Sequence, residues 1–420
     1  MRRRFLLAII FLVFATTQWA VAQDQIDPYA AAMQAYRAKD YAAYLENLRK
    51  VIQRLPDNPS VLELQARAYA LNGMPEESIA VLRRLASMGS VADLAHADLA
   101  GLRERPELMQ LRTDFDRNNT GTRRSRIAFT LPERDLIAEG MAYDEQTRTF
   151  YVGSIYKRKI VRIKRNGQID DFIASRQDGI QDVLGMKADV RRRLLWVCAV
   201  SGPRDKEGEG AAAVYKYDLN SGKLIKKYHS SDATLKYLFN DIVIGRSGDV
   251  FLTDSLGGGV WVIRQQNDAL ETFIDRSTFD YPNGIAFSDG GQYLLVADAR
   301  GIHRIELRNR EVRPVAHADT ISLAGIDGLY WHKGELLGVQ NSFKPERIVR
   351  IELNKSLDHA EKLTVMEANN ALFNIPTTGA IARGAFYYIA NSQLSAMNEK
   401  GEIPYPEKMT PTQILLVPLD

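Results

Sequence analysis

Two periodicities divide the chain. Between Asp27 and about Asn118, apolar residues return every three to four positions. The first set is Met33, Tyr36, Tyr41, Tyr44, Leu45, Leu48, Val51, Ile52 and Leu55. The second is Leu64, Ala66, Tyr69 and Ala70, then Ile79, Leu82 and Leu85. This spacing predicts amphipathic helices. Tyr36 and Tyr69 stand 33 residues apart, each shortly before a break at Lys39-Asp40 or Asn72-Gly73. Two helical hairpins of tetratricopeptide type are expected, with a degenerate third pair from Ala92 to Phe115 in which Pro106 opens a helix. Two or three such units are few for a free-standing array. They are expected either to cap the rest of the chain or to act as a small peptide-binding arm.

From Ile127 onward the apolar runs shorten and are punctuated by turns, among them Ser247-Gly248-Asp249, Ser288-Asp289-Gly290-Gly291 and Lys333-Gly334-Glu335. Runs such as Val250-Phe251-Leu252, Leu294-Leu295-Val296 and Val260-Trp261-Val262-Ile263 read as strands. One slot recurs six times ahead of such a run. It holds Glu139, Leu184, Asn240, Asn283, Asp327 and Thr378, and glycine follows in every copy except the third, where Asp241 stands. The intervals are 45, 56, 43, 44 and 51 residues. A period of this length with about four strands per unit predicts a six-bladed β-propeller. Arg126-Ile127-Ala128-Phe129 precedes the first slot without a partner, and the last unit lacks a fourth strand after Ile414-Leu415-Leu416-Val417. Pairing these two ends would close the ring and remove its edges. The expected fold is therefore mainly β: a six-bladed propeller with N-terminal strand closure, preceded by a small α-helical, tetratricopeptide-like domain. The expected boundaries are a leader at 1–22, helices at 23–116, a polar linker at 117–126 and the propeller at 127–420.

The leader is read from Arg2-Arg3-Arg4, the apolar stretch Phe5 to Ala15 and the small-residue site Ala20-Val21-Ala22. This is the layout of a secretory signal peptide, too short to span a membrane, and it predicts a periplasmic or secreted mature protein beginning at Gln23. The arginines also fit a twin-arginine signal loosely, whereas the very apolar core favours the general export route. Removing residues 1–22 removes three arginines and no acids, leaving 52 basic and 52 acidic residues. That balance points away from nucleic acid and anionic membranes as partners. Cys198, the single cysteine, sits in the apolar run Leu194 to Cys198 and reads as core. The six histidines fall outside the slots and no pair has metal-ligand spacing. There is no nucleophile elbow, phosphate loop or dinucleotide fingerprint.

In a propeller the first strand of each blade lines the central channel, so its equivalent starting positions converge at one mouth. Glu139, Asn240, Asn283 and Asp327 would then form a ring of four hard oxygen donors with a charge of −2. Such a set suits a divalent cation, with Ca²⁺ first and Mg²⁺ or Mn²⁺ as alternatives. The second strand returns to the same mouth and brings Asp254 and Asp298 there, with Asn341 and Asn391 in later blades. These are candidates for supporting the ligands or accepting a proton. The competing reading is that they hydrogen-bond neighbouring strand starts. The loops at Tyr156-Lys157-Arg158, at Pro203 to Gly208 and at Phe343-Lys344-Pro345 are expected to rim this mouth.

Glu139-Gly140, Phe239-Asn240-Asp241, Pro282-Asn283-Gly284 and Ile326-Asp327-Gly328 resemble the signature positions of the regucalcin/gluconolactonase family. The resemblance covers residues 127–420 and leaves out the helices. It implies a six-bladed propeller with one catalytic divalent metal on Glu139, Asn240, Asn283 and Asp327, and hydrolysis of a lactone or related ester. Sugar-lactonase members carry an arginine two positions before the middle asparagine. Here that position is Leu238, and their following insertion is reduced to Leu256-Gly257-Gly258-Gly259. The expected activity is an exported metal-dependent lactonase or carboxylic ester hydrolase, with Asp327 or Asp254 helping to activate water. The alternatives are a non-catalytic propeller with a structural Ca²⁺ and a helical arm that recruits a protein, or a different chemistry on the same scaffold.

Overall fold

The computed structural model describes residues 27–205, 210–230, 232 and 234–419. The expected leader lies outside them. Five helices come first: α1 Pro28–Arg37, α2 Tyr41–Arg54, α3 Pro59–Leu71, α4 Pro75–Ser87 and α5 Pro106–Thr120. Asp27, Asp40 and Asn58 cap α1, α2 and α3 by accepting backbone N–H groups, and prolines open α1, α3, α4 and α5. The first member of the expected third pair is only a 3₁₀ turn, Ala97–Leu102. Helix α5 runs through the stretch that reads as an open linker. Asn118 Nδ2 holds its end by donating to Ala86 and Ser90 carbonyls, and the backbone N–H groups of Arg124 and Ser125 donate to Glu367. No helix among the described residues is long and apolar enough to cross a membrane.

The remainder is a six-bladed β-propeller. Blade 1 spans 138–173, blade 2 182–229, blade 3 239–274, blade 4 285–314 and blade 5 326–368, the last with a short extra parallel strand at 316–317. Blade 6 is built from both ends of the domain: strands at 379–382, 385–389 and 412–418 are completed by Arg126–Leu131, which pairs antiparallel with Thr412–Pro418. Phe129 packs there against Phe150 of blade 1 and Tyr387 of blade 6, sealing the closure with aromatic contacts. Between blades the core is continuous apolar side chain. Cys198 lies in it, fully buried with Trp196 and Val214, and burial pushes its thiol well above the ordinary value.

The helices dock on one end of the propeller, over blades 4 and 5. Arg54 of α2 makes two hydrogen bonds to Asp280, at 2.6 and 2.7 Å. Ser322 Oγ donates to the Asp57 carbonyl, and Ser90 Oγ and Val91 N–H both donate to the Lys344 carbonyl. Phe343 is buried in the apolar cluster of α3, α4 and α5, with the buried Arg347 guanidinium 3.4 Å from its ring centre. The Phe343-Lys344-Pro345 loop is thus the socket for the helices rather than a free rim. Residues 280, 322 and 344 all lie in loops at the end where the first strands begin, so the helices stand beside that mouth of the channel.

Candidate metal centre

The slot is a β-bulge. In blade 1, Ala138 faces Ser154 and Met141 faces Val152, so Glu139 and Gly140 together oppose Gly153. The same two-against-one step places Leu184-Gly185 opposite Cys198, Asn240-Asp241 opposite Thr253 and Asp327-Gly328 opposite Val339. A bulge turns the strand and re-aims the side chain of the extra residue, which is what a channel-facing ligand needs. Backbone bonds give blades 4 and 6 the same step: Asn283-Gly284 against Ala297, and Thr377-Thr378 against Ile389. The structural equivalent of the slot in blade 6 is therefore Thr377, one residue before the position expected from the sequence. Thr378 takes the place of the glycine, as Asp241 does in blade 3.

The six bulges form a closed ring. A Cβ on Gly140 would collide with the Leu184 carbonyl, and one on Gly185 or Gly284 with the carbonyl of Asn240 or Asp327. On Gly328 it would lie 3.2 Å from the Thr377 carbonyl and 2.7 Å from Tyr330 Oη. In blade 6 the Thr378 hydroxyl instead donates to the Glu139 carbonyl. Between blades 3 and 4, Ser255 Oγ donates to the Pro282 carbonyl and Thr253 Oγ1 to that of Asn283. Each blade thus presses the residue after its slot, or a neighbour of it, onto the slot of the next. The glycines serve close approach here.

Glu139, Asn240 and Asp327 are 5, 8 and 6 % exposed, and Asn283 is half-buried. Glu139 Oε2, Asp327 Oδ1 and Asn283 Oδ1 are buried with no hydrogen-bond partner. The other atoms of the set are anchored. Asp327 Oδ2 accepts from Asn341 Nδ2 at 2.6 Å, and Asn240 Nδ2 donates to Ser255 Oγ at 2.9 Å. Buried oxygens without a donor are costly, and three here belong to the four expected ligands. An oxygen-seeking cation satisfies them, so the residues present fit a divalent ion. Among the described residues no group of three or more His, Cys, Asp or Glu side chains forms a metal cluster. A set of two carboxylates and two amides is of a different kind.

Burial pushes the Glu139 carboxyl well up, and the nearby Asp327 and Asp241 carboxylates push it further. Burial and then Asp241 raise Asp327 to about 7, against the pull of Asn341 and Asn283. Asp241 itself is raised to about 6 by burial, with Lys187 opposing. Asp241 is a third carboxylate of the channel that was not selected from the sequence, although its replacement of the slot glycine was the visible signal. Tyr281 was also missed. It holds a left-handed backbone, φ 59°, next to Pro282, and burial with the fields of Asp327 and Glu139 raises its hydroxyl to about 12. A non-glycine residue in that conformation, beside such a ring, is stored strain at a site.

Asp254 and Asp298 lie at the ends of the second strands, wholly buried. Asp254 Oδ1 accepts from Leu238 and Gly257 backbone N–H, and Oδ2 from Arg276. Asp298 accepts from the backbone N–H groups of Asp280, Arg300 and Gly301, from the Arg300 side chain, and pairs with His303. Ser154 and Gln340 do the same work in blades 1 and 5, donating to Leu136 and to Ser322 and Ala324 carbonyls. These residues clasp the loops that lead into the slots. Asn391 likewise serves its own blade, accepting from Gln413 N–H.

The rim at blades 1 and 2 is an ionic clamp. Arg158 reaches Asp182 at 2.7 Å and Asp205 at 2.8 Å, and Arg204 binds Asp182 and the Ile155 and Tyr156 carbonyls.

No family model matches the sequence, and no curated protein does. Solved structures are similar over much of the chain. A gluconolactonase from Xanthomonas campestris is similar over 71 % of this chain and 97 % of its own, at 16 % identity and a TM-score of 0.49. A calcium-binding regucalcin from Agrobacterium tumefaciens is similar over 70 % and 96 %, at 13 % identity and 0.49. A virginiamycin B lyase from Staphylococcus aureus is similar over 70 % and 100 %, at 11 % identity and 0.46.

Proposed function

We propose that the protein is an exported, divalent-metal-dependent hydrolase of lactones or related carboxylic esters, working at the channel mouth ringed by Glu139, Asn240, Asn283 and Asp327. The observation that carries this reading is the set of three buried, partnerless oxygens on Glu139, Asn283 and Asp327. The ion fitting those donors is Ca²⁺, with Mg²⁺ or Mn²⁺ as alternatives, and when bound it supplies Lewis acidity to an ester carbonyl. Asp327, raised to about 7, is placed to accept the proton of an attacking water, while Asn341 fixes its rotamer. Tyr281, whose hydroxyl stays protonated at neutral pH, is assigned as the hydrogen-bond donor to substrate oxygen. Asp254 is assigned the holding of Leu238 rather than proton transfer, because both its oxygens are already engaged. The helices beside the mouth restrict which substrates reach it. Leu238, where a sugar lactone would meet arginine, favours a less polar lactone or ester.

The test is hydrolysis of a panel of aliphatic, aromatic and sugar lactones by the metal-loaded protein, with and without chelator, alongside Asp327→Ala. Chelator-sensitive turnover of the less polar substrates, lost in Asp327→Ala, is expected. Metal binding without any turnover would overturn the enzymatic reading and leave a structural ion.

A further inference from the structure

The channel has a second end. The first strands run on from the slot ring, and their later residues enclose a cavity of about 380 Å³ to which all six blades contribute. Its walls mix apolar side chains, Met141, Val243, Ile285, Leu329 and Ile381 among them, with the polar residues Lys187, Arg246, Ser288 and Asp289. Tyr330 separates it from the metal mouth. Its hydroxyl accepts from Gly379 N–H at 2.7 Å, while its ring faces Lys187, whose Nζ lies 5.0 Å from the ring centre.

Lys187 is the unusual feature of this cavity. Among the described residues its ammonium makes no hydrogen bond and no ion pair; it has only the Tyr330 face and the field of Asp241. The Asp241 carboxylate is engaged elsewhere, accepting from Ile242 N–H at 2.8 Å and Ile285 N–H at 3.4 Å. Trp331 also lines the cavity, but its Nε1–H is buried out of contact with that space. Basic residues also stand at the outer approach, Arg192 among them held by Asp189 at 3.0 Å. Of the six turns around this mouth, five carry an arginine or lysine, namely Arg148, Arg192, Arg246, Lys333 and Arg383, against Glu145, Asp249 and Asp289. Basic turns at the entrance of a low-dielectric cleft attract anions. An ammonium lining the cavity without an acceptor calls for one there.

We propose that this end of the channel is a second ligand site, taking a small organic monoanion: a carboxylate carried on an apolar body, with Lys187 as its counter-charge. The walls take the apolar body and Tyr330 sets the floor. Burial weakens the hold of Lys187 on its proton, so a bound carboxylate would restore the charged form. The site is independent of the metal ring and does not rest on the hydrolase reading.

The experiment is calorimetric titration of octanoate, and separately of octan-1-ol, into the chelator-treated full-length protein, with the intrinsic tryptophan emission followed in parallel. Octanoate is expected to bind one-to-one, shift that emission and bind at least tenfold more tightly than octan-1-ol. Lys187→Met is expected to weaken octanoate by tenfold or more and leave octan-1-ol within twofold. Ala286→Phe, which fills the cavity and keeps the lysine, is expected to weaken both ligands. It also decides the matter should Lys187→Met fail to fold. Absence of octanoate binding, equal affinity for the two ligands, or octanoate binding unchanged in either folded variant overturns the proposal. Persistence of binding in Asp327→Ala separates this end of the channel from the metal mouth.

Discussion

Asp327 and Asp298 are both buried aspartates near the same mouth, and they have opposite fates. Asp298 collects three backbone N–H groups, an arginine and a histidine; burial alone would raise its carboxyl, but these partners hold it below the ordinary range. Asp327 has only the side-chain amides of Asn341 and Asn283, with Oδ1 left without a partner, and its carboxyl is driven up by burial. Burial is common to both, so burial does not mark the functional residue. The deficit of donors does. A carboxylate at the end of a second strand is placed to close a loop, whereas Asp327, on a first-strand bulge, finds no backbone N–H; Asp241, in the glycine's place on the same kind of bulge, finds two.

The largest effect expected from this contrast is on metal affinity. Asp327→Ala and Glu139→Ala should each lower calcium affinity by about a hundredfold or more, since each removes a charged ligand that water replaces poorly. Calorimetric titration of Ca²⁺, Mg²⁺ and Mn²⁺ into stripped protein checks this, and undiminished binding in Asp327→Ala would remove the centre altogether. Asp298→Ala should do the reverse. It should cost about 2–3 kcal/mol of stability in urea unfolding, because several donors lose their acceptor, and change calcium affinity by no more than a few-fold.

The pH dependence should also split. In chelator-treated protein the folded-state values of Glu139 and Asp327 lie above their unfolded values. Their stability contribution is therefore present in acid and lost as pH rises, for Asp327 through about 7. The melting temperature of stripped protein should fall between pH 5 and pH 8, and calcium should restore it most at pH 8. Asp298, with a depressed value, contributes stability that is present at neutral pH and lost only as pH falls below the ordinary carboxylate range. Equal pH slopes for wild type and Asp327→Ala after stripping would contradict the assignment.

Smaller effects grade the ring. Asn240→Ala and Asn283→Ala should weaken calcium by about tenfold or less, because a neutral amide oxygen can be replaced by water. Thr377→Ala and Thr378→Ala, which remove hydrogen bonds to the Glu139 carbonyl and, from Thr377, to its carboxyl, should change it by about twofold. Leu184→Ala should leave it unchanged. A ring in which Leu184 mattered as much as Asn240 would not be a ring of oxygen ligands.

The blade count, the closure by Arg126–Leu131 and the recurring slot were legible because period-2 strands, turns and a fixed interval are written in one dimension. The bulge was not. A sequence shows that Glu139 precedes Gly140, but not that the pair opposes a single residue, and this is why the sixth slot was placed on Thr378 instead of Thr377. Lys187 and Tyr281 escaped for a related reason. Lys187 reads as an ordinary solvated residue of a strand, and Tyr281 becomes notable only through its left-handed backbone. The docking of the helices was open for a different reason. Phe343 fills a cavity among helices more than 200 residues earlier in the chain, and no local pattern announces such a partner.

The closure strand has a consequence in time. Arg126 pairs with Leu416, across nearly the whole propeller. Contacts between residues so far apart in sequence form late. During synthesis the helical segment and five blades emerge while Arg126–Leu131 still lacks its mate. Sheet edges at both ends of the unfinished ring stay open until the C-terminal strand arrives. If the chain is exported, this delay keeps it unsealed, and therefore threadable, until Thr412–Pro418 has been made.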